Sequence, residues 1–257
     1  MGGMIGKPHT AEDNCLYLDG KFDEPIYRVF SSPRLFEMFD TSKLSLLRPK
    51  MWEDPFENFL YQIPCVDSTT GAPISIENLR RKLYGQCWSF EKESDAMWRI
   101  YSPTKDSAKV RSTPRRLISA IYDTGKQFAS LMYFIGAVRY SDETDFVTFF
   151  SNPARLLACI TDTSARGPVE LLLWKRREFE HEKEVRLIFQ DTHDMPDDVI
   201  HFDIDPFTLF DEIVFDPRIP KSIFSAFSAK LRTYGFKGTV DQSKLYQLPA
   251  FPKAIVI

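Results

Sequence analysis

Residues 175–189 read KRREFEHEKEVRLIF and end in a strand whose two faces differ in chemistry. Successive side chains of a strand point to opposite faces, so the apolar residues of this strand are predicted to face a core. Glu182, Glu184 and Arg186 alternate with them and share the other face. Two interpretations remain open for that face. It is either a solvated surface with cross-strand ion pairs, or two carboxylates and a guanidinium that converge at a cleft.

The rest of the chain alternates irregularly between predicted strands and helices. Strands are predicted at 25–30, 44–48, 86–90, 134–140, 184–189 and 212–215, and helices at 76–84, 95–101, 168–177 and 219–234. Regular βαβ units are not seen, which favours an α+β fold with a mixed or antiparallel central sheet flanked by helices. Residues 1–24 are polar and weakly patterned. We expect an irregular N-terminal arm there, followed by a single α+β domain at 25–257.

The composition argues against several classes of protein. A chain of 257 residues that is 43% hydrophobic and 14% aromatic can bury a core and is unlike a disordered chain. Its net charge of -3 argues against a dedicated nucleic-acid-binding domain, which is usually basic. We see no signal peptide and no apolar run of the ~20 residues that span a bilayer, so we expect a cytoplasmic protein with no membrane partner. The four cysteines and four histidines are scattered, and we expect no metal ligands among them.

Two groups of cations are candidates for anion binding. Arg28 lies between apolar neighbours on the first predicted strand, where a guanidinium can clamp a phosphate or point to solvent. The stretch 105–116 holds five cations and leads into a predicted helix start near Thr113. Lys109 and Arg111 can hold a phosphate at such a start, although most basic stretches of this kind are solvated surface.

Aromatic and hydroxyl side chains surround a second predicted strand. The sequence C-W-S-F at 87–90 places Ser89 on one face of the strand and Trp88 on the other. Trp98 and Tyr101 follow three residues apart on one helix face. They can fill a core or wall a pocket for a flat ring.

The order of these motifs resembles a bacterial protein family. The motifs are W-x-D-P-F-E at 52–57, C-W-S-F with a following M-W-x-x-Y at 87–101, and K-x-x-x-F-x-x-E-x-E-x-R at 175–186. Together they are similar to the bacterial domain-of-unknown-function family 2971, over about residues 26–246. Phe179 stands where a Trp is common in that family, and residues 102–111 lack an expected glycine. The name of the family states no function, so this resemblance says little about activity.

A second resemblance, at the level of the fold, is to ADP-ribosyltransferases. Those enzymes carry an Arg or His on an early strand, a Ser or Tyr on a middle strand, and a Glu, often as E-x-E, on a late strand. Arg28, Ser89 and the E-x-E at 182–184 follow the same order. The resemblance implies NAD as the substrate, with a carboxylate that stabilises an oxocarbenium ion at the ribose. Of the two glutamates we favour Glu184, because the strand fixes it.

The same resemblance assigns the remaining roles. Arg28 would hold the NAD phosphates, Ser89 would position the nicotinamide ribose, and Trp98 or Tyr101 would stack on a ring. We expect Glu184→Gln to abolish NAD turnover in a folded protein. The expected catalytic residues are Glu184, Glu182, Arg28 and Ser89, and the expected NAD contacts are Arg28, Trp88, Trp98, Tyr101, Lys109, Arg111 and Arg186.

Three functions remain open from the sequence. The first is an NAD-consuming transferase or hydrolase, acting as a toxin or phage-defence effector on a protein or nucleic-acid acceptor. The second is a binding or interaction module without catalysis, in which Arg28, Ser89 and Glu184 are separated or paired off. The third is a nucleic-acid-directed effector such as a nuclease. In that enzyme Asp54, Glu57 and the two glutamates of the E-x-E would hold Mg²⁺.

Overall fold

A computed structural model describes residues 10–52, 65–66, 69–74, 81–123, 125 and 128–248. Within these ranges ten strands form one mixed sheet, and helices pack against it around a shared apolar core. The predicted fold class, α+β with a mixed central sheet flanked by helices, is therefore confirmed.

The strands of the described ranges are named in chain order. They are β1 (Cys15–Leu16), β2 (Ile26–Phe30), β3 (Lys43–Leu47), β4 (Cys65–Val66), β5 (Pro73–Ile74), β6 (Leu83–Ser89), β7 (Ala108–Ser112), β8 (Tyr133–Ala137), β9 (Arg139–Ser141), β10 (Trp174–Arg176), β11 (Glu184–Gln190), β12 (Val199–Asp203), β13 (Glu212–Phe215) and β14 (Thr239–Gln242). The main sheet has the order β1-β8-β11-β6-β2-β7-β13-β14, and β3 joins β6 to β12. β1 pairs with β8, and β13 with β14, in parallel, whereas the other pairs of this sheet are antiparallel.

β11 lies between two long partners near the middle of the sheet. It pairs with β6 from Glu184 to Gln190 and with β8 from Val185 to Phe189. Val185, Leu187 and Phe189 enter the main core as predicted, and Ile188 on the other face packs in a second apolar cluster. Burying an apolar side chain of this size stabilises the fold by about 1.5–3 kcal/mol. The opposite face of β11 carries its charged residues, so the core fixes the position of the charges.

Several helices of the described ranges begin or end at residues with capping chemistry. Ser94 accepts the N–H of Met97 at 3.2 Å where the second helix begins, and Gly235 ends the last helix with a φ of 94°. None of the helices in these ranges is both long enough and apolar enough to cross a membrane. They are α1 (Ser32–Thr41), α2 (Asp95–Tyr101), α3 (Pro114–Ile121), α4 (Glu143–Phe150), α5 (Pro153–Ile160), α6 (Arg166–Leu171), α7 (Pro206–Leu209) and α8 (Lys221–Tyr234).

Two of the predicted helices are wrong in part. Leu83 and Tyr84, predicted as the end of a helix, are the first residues of β6 and are fully buried. The helix predicted at 168–177 ends at Leu171, and β10 follows it and pairs with β9. A short apolar run fits a buried strand as well as a helix, and here the neighbouring strand decides between them.

The described part of the predicted N-terminal arm, residues 10–24, is attached to the sheet. It contains a 3-10 helix at Ala11–Asn14, and β1 follows and pairs with β8. The Asn14 side-chain amide donates to the carbonyls of Ser130 and Tyr133, each at 2.8 Å. These hydrogen bonds tie the segment to the start of β8.

One edge of β6 is divided between two strands. Among the described residues, β2 pairs with it through Tyr27 and Ser89, and β3 pairs with it through Leu47 and Gly85. β2 and β3 therefore diverge, and residues 86–88 of β6 face an opening between them. The opposite edge of β6 is fully paired with β11, which holds the strand in place.

Candidate functional site

A cavity of about 400 Å³ lies over the opening between β2 and β3. Pockets for small ligands are usually roughly 300–1,000 Å³. The structure brings six of the predicted site residues to its wall: Arg28, Trp88, Ser89, Tyr101, Glu182 and Glu184. The other residues that line it are Tyr27, Val29, Leu47, Met51, Trp52, Gly85, Gln86, Cys87, Met97, Ile100, Lys175 and Phe179.

Gly85 allows the indole of Trp52 to lie against β6. A Cβ at Gly85 would lie 2.6 Å from Cζ2 of Trp52, which is too close for two carbon atoms. The guanidinium carbon of Arg186 lies 4.7 Å from the Trp52 ring centre, a favourable cation–π distance. Trp52, the first residue of W-x-D-P-F-E, thus belongs to the cavity. Asp54, Pro55, Phe56 and Glu57 of that motif lie outside the described residues.

Glu184 is held by charged hydrogen bonds on both carboxylate oxygens. Arg186 donates from Nε to Oε1 at 2.9 Å and from Nη2 to Oε2 at 3.0 Å. Lys175 Nζ donates to Oε2 at 3.0 Å, and the backbone N–H of Glu184 donates to the Tyr140 hydroxyl at 2.7 Å. Glu184 is 4% exposed and Arg186 is 0% exposed. Charges buried this deeply are tolerated because they are paired.

Glu182 lies beside Glu184 and is held by neutral and charged donors. It ends the 3-10 helix Arg177–Glu182, and Lys183 then turns the chain into β11 with a φ of 44°. Lys175 Nζ donates to Glu182 Oε2 at 2.6 Å, and the Tyr101 hydroxyl donates to Oε1 at 3.2 Å. The Lys175 ammonium therefore bridges the two carboxylates.

The charges around Glu184 keep it ionised. Burial by itself raises the pKa of Glu184, but Arg186 and Lys175 outweigh burial and lower the pKa to about 2. Burial, together with the charge of Glu182, raises the pKa of Tyr101, and burial is also the main cause of the raised pKa of Tyr140. Both phenols stay protonated near neutral pH, so Tyr101 remains a hydrogen-bond donor.

Arg28 reaches into the opening beside β6 with part of its guanidinium unpaired. Its Nη1 donates to the carbonyl of Cys87, on the edge of β6 where β2 no longer pairs with it. Its Nε is buried and has no hydrogen-bond partner among the described residues. Burial lowers the pKa of Arg28, yet an arginine keeps its charge in proteins. A partly buried cation with a spare donor suits an anionic ligand.

Ser89 lies in the wall, but the main chain uses its hydroxyl. Ser89 Oγ donates to the carbonyl of Glu182 and accepts the N–H of Glu91 at 2.9 Å. Ser89 is also directly opposite Glu184 in the pairing of β6 with β11. The hydroxyl thus fixes the backbone of the E-x-E segment.

Tyr101 is the predicted stacking residue whose ring reaches the cavity. It is 43% exposed at the mouth, next to the exposed Ile100. Trp98, predicted to share that role, is 1% exposed and donates to Glu93 Oε1 at 2.7 Å. Its ring centre lies 5.9 Å from Nζ of the buried Lys109, so it faces the interior of the protein, whereas Tyr101 reaches the mouth. Trp88 lines the cavity and also packs in the main core.

Arg111, a predicted NAD contact, lies away from this cavity. Its guanidinium donates to Asp211 at 2.7 Å and to Glu212 at 3.2 Å. The reason is the strand register, since Arg111 on β7 is directly opposite Glu212 on β13. The carboxylates that neutralise it come from a part of the chain about a hundred residues away.

Lys109 and Arg186, two further predicted contacts, are buried next to the cavity. Lys109 donates to the carbonyl of Lys92 at 2.7 Å and borders a small separate hollow with Trp98. Burial lowers the pKa of Lys109. Arg186 holds Glu184 and does not itself line the cavity. Arg186 therefore acts on the cavity through Glu184.

Lys175 and Tyr140 belong to the site, although the sequence analysis did not select them. Lys175 is the first residue of the K-x-x-x-F motif. Its hydrogen bonds to Glu182 and Glu184 depend on the turn between β10 and β11, which the sequence does not reveal. Tyr140 had no sequence signal, because it reaches Glu184 through the pairing of β9 with β10.

Comparison with known proteins finds similarity among solved structures. No protein-family model and no curated protein matches the chain. Solved structures of DarT from Thermus sp. 2.9 are similar to it at 14% sequence identity. The complex with NAD+ has a TM-score of 0.39 and covers 86% of this chain and 96% of that chain. The complex with ADP-ribosylated ssDNA has a TM-score of 0.39 and covers 89% and 97%. The complex with carba-NAD+ has a TM-score of 0.37 and covers 86% and 96%. At this identity and these TM-scores, the similarity assigns no activity to the chain.

Proposed function

We propose that this protein is an NAD-consuming, ADP-ribosyltransferase-like enzyme. One observation supports the proposal most: Arg28 and the glutamates of the E-x-E, from distant parts of the sequence, meet at one cavity lined by aromatic rings. A cation that binds phosphate and a buried carboxylate that stabilises a sugar cation are the two groups this chemistry requires. We propose further that it acts in the cytoplasm as a toxin or phage-defence effector, on a protein or nucleic-acid acceptor.

In this proposal Arg28 holds the phosphates of NAD. Its hydrogen bond goes to a neutral carbonyl, and its buried Nε has no partner among the described residues. A phosphate oxygen gives such a guanidinium both a counter-charge and an acceptor. The pyrophosphate of NAD is an anion of this kind.

The reaction breaks the bond between the nicotinamide nitrogen and C1′ of the ribose. The electron pair leaves with the nitrogen, so nicotinamide departs as a neutral molecule and the ribose gains oxocarbenium character. The carboxylates of the E-x-E stabilise that charge, and the low pKa of Glu184 keeps that group ionised. An oxygen or nitrogen of the acceptor, or water, then bonds to C1′ and releases its proton.

The ring of Tyr101 gives the cavity a flat surface at its mouth. Tyr101 is exposed there and its hydroxyl is held by Glu182 at 3.2 Å. A ring fixed at one end can pack against the nicotinamide without losing much freedom. This supports a ligand with a flat aromatic group.

The first experiment compares the parent chain with Arg28→Met in NAD binding and nicotinamide release. We expect the parent to consume NAD and the variant to raise KM by roughly 10–100-fold, the effect of losing a charged hydrogen bond. Arg34→Met is the matched control, since Arg34 is exposed on α1 and pairs with Glu37. A parent chain that neither binds nor consumes NAD, alone or with protein and single-stranded nucleic acid present, contradicts the proposal.

A binding module without catalysis is the second candidate. The observation that favours it is the use of Glu184 and Ser89 in internal hydrogen bonds. Such a module binds NAD or a related nucleotide and returns it unchanged. The same experiment distinguishes the two, because only the enzyme releases nicotinamide.

The geometry of the described residues does not favour a metal-dependent nuclease. Glu182 and Glu184 are joined through the Lys175 ammonium, which a divalent cation would have to displace. No three Cys, His, Asp or Glu side chains in the described ranges cluster as metal ligands do. The other two proposed ligands, Asp54 and Glu57, lie outside those ranges. Turnover that survives a chelator separates the NAD enzyme from the nuclease.

A further inference from the structure

The two glutamates of the cavity differ in how fully their oxygens are used. The Glu184 carboxylate accepts hydrogen bonds from Arg186 Nε, Arg186 Nη2 and Lys175 Nζ at 2.9–3.0 Å. The Glu182 carboxylate accepts one from Lys175 at 2.6 Å and one from Tyr101 at 3.2 Å, one on each oxygen. An ionised carboxylate offers about four acceptor sites. Glu182 therefore has more capacity to accept a hydrogen bond from a ligand.

We propose that Glu182 is the carboxylate that contacts the ribose of the ligand, whereas Glu184 is a fixed anion that holds Lys175 and Arg186. The inference rests on NAD as the substrate. This assignment reverses the preference for Glu184 over Glu182 that was drawn from the sequence, and the reason is physical. The strand that fixes Glu184 also surrounds it with the cations that occupy its oxygens.

Contact between Glu184 and a ligand hydroxyl would disturb a buried charge. Arg186 is 0% exposed and donates two hydrogen bonds to the Glu184 carboxylate. If Glu184 turned towards the ligand, these two hydrogen bonds to a fully buried guanidinium would be lost. Removing one partner of a buried pair is strongly unfavourable, so Glu184 is expected to stay in place.

The backbone of Glu182 is fixed while its carboxylate faces the mouth of the cavity. Ser89 Oγ donates to the Glu182 carbonyl, and Lys183 turns the chain immediately afterwards. Tyr101, which holds Oε1, is itself at the exposed mouth. A ribose hydroxyl that enters there meets the Glu182 carboxylate between the Tyr101 phenol and the Lys175 ammonium. Tyr101 and Lys175 are thus positioning residues that act through Glu182.

The test compares Glu182→Gln, Glu184→Gln and Tyr101→Phe, with the exposed Glu37→Gln as the matched control. For each full-length chain we measure thermal unfolding, NAD affinity, and kcat and KM for nicotinamide release. Glu182→Gln is expected to lower the unfolding temperature less than Glu184→Gln does, because Lys175 keeps its pair with Glu184, and to lose about 10²–10³-fold in kcat. Tyr101→Phe keeps its ring and is expected to lower kcat about tenfold with KM unchanged, since one hydrogen bond is lost.

Glu184→Gln is expected to lower the unfolding temperature or to prevent folding, and either result supports its fixed role. A Glu182→Gln chain with parental kcat overturns the inference, and so does one that is destabilised as much as Glu184→Gln. In those cases the parent still consumes NAD and the proposed function stands. A parent chain with no NAD binding and no turnover refutes the proposed function instead, and the inference with it.

Discussion

The cluster around β11 and the three arginines of the basic stretch on β7 and α3 are both charged in sequence, and they differ in burial. Lys175, Glu182, Glu184 and Arg186 are each no more than 8% exposed. In the basic stretch, the side chains of Arg111, Arg115 and Arg116 are 31%, 38% and 43% exposed. The first group lies at a cavity, and the second forms ion pairs at the surface.

The difference shows that the neighbours of a charge decide its use. Arg111 and Arg116 both pair with Asp211, and Arg115 pairs with Asp23. Exposed pairs of this kind contribute little to stability, because water solvates each charge almost as well. In the β11 cluster the charges are buried, so each charge depends on its partner. The same residue types therefore serve as surface in one place and as a candidate site in the other.

The largest expected effect comes from removing one charge of the buried cluster around β11. Arg186→Met leaves Glu184 buried without its main partner, and we expect it to lower the free energy of unfolding by about 3–5 kcal/mol. Denaturant titration measures the change, and Arg116→Met, expected to alter it by about 0.5 kcal/mol or less, is the surface control. Equal effects of the two variants would show that the cluster is not buried as described.

Acid pH is expected to have a somewhat smaller effect on the free energy of unfolding, through the buried cluster. The pKa of Glu184 is lowered from 4.5 to about 2 in the folded protein, so the unfolded chain binds its proton first as the pH falls. The contribution of Glu184, up to about 3 kcal/mol, is thus present above pH 4.5 and lost as the pH falls towards 2.

Denaturant titrations at several pH values check this prediction. The free energy of unfolding of the parent should fall more steeply between pH 4.5 and 2 than that of Glu184→Gln. Glu37→Gln, an exposed carboxylate on α1, should keep the parental slope. Parallel curves for the parent and Glu184→Gln count against a strongly lowered pKa.

The smallest expected effect belongs to the surface pair of Arg111 and Asp211. A double-mutant cycle with Arg111→Ala and Asp211→Ala should give a coupling free energy of about 0.2–1 kcal/mol, which decreases as salt is added. Turnover of NAD should be unchanged in Arg111→Ala, because Arg111 does not line the cavity. A large rise in KM for this variant would indicate that Arg111 does bind the phosphates of NAD.

The fold was largely predictable from local patterns, and the site was predictable in part. Alternation in β11 placed Leu187 in the core and Glu184 on the opposite face, as the structure has them. The helix starts at Ser94 and Thr113 followed from capping chemistry. Leu83 and Tyr84 were misassigned, because a short apolar run does not distinguish a strand from a helix.

The order of Arg28, Ser89 and the E-x-E along the chain suggested a shared site, but it did not specify their partners. The hydroxyl of Ser89 was predicted to face a ribose and instead bonds to the carbonyl of Glu182. Trp98 was predicted to face a ring and is buried beneath α2. Contacts of this kind depend on residues distant in sequence, and a single sequence does not reveal them.

The sequence by itself determined the helix starts at Ser94 and Thr113 and the face of β11 that carries charge, because these follow from local hydrogen bonding and side-chain alternation. The tertiary structure decided that β2 and β3 diverge along β6, that Arg28 lies beside the opening, and that Lys175 bridges Glu182 and Glu184. The physical reason is that strand order and register bring together charges far apart in sequence. Burial then determines how strongly those charges interact.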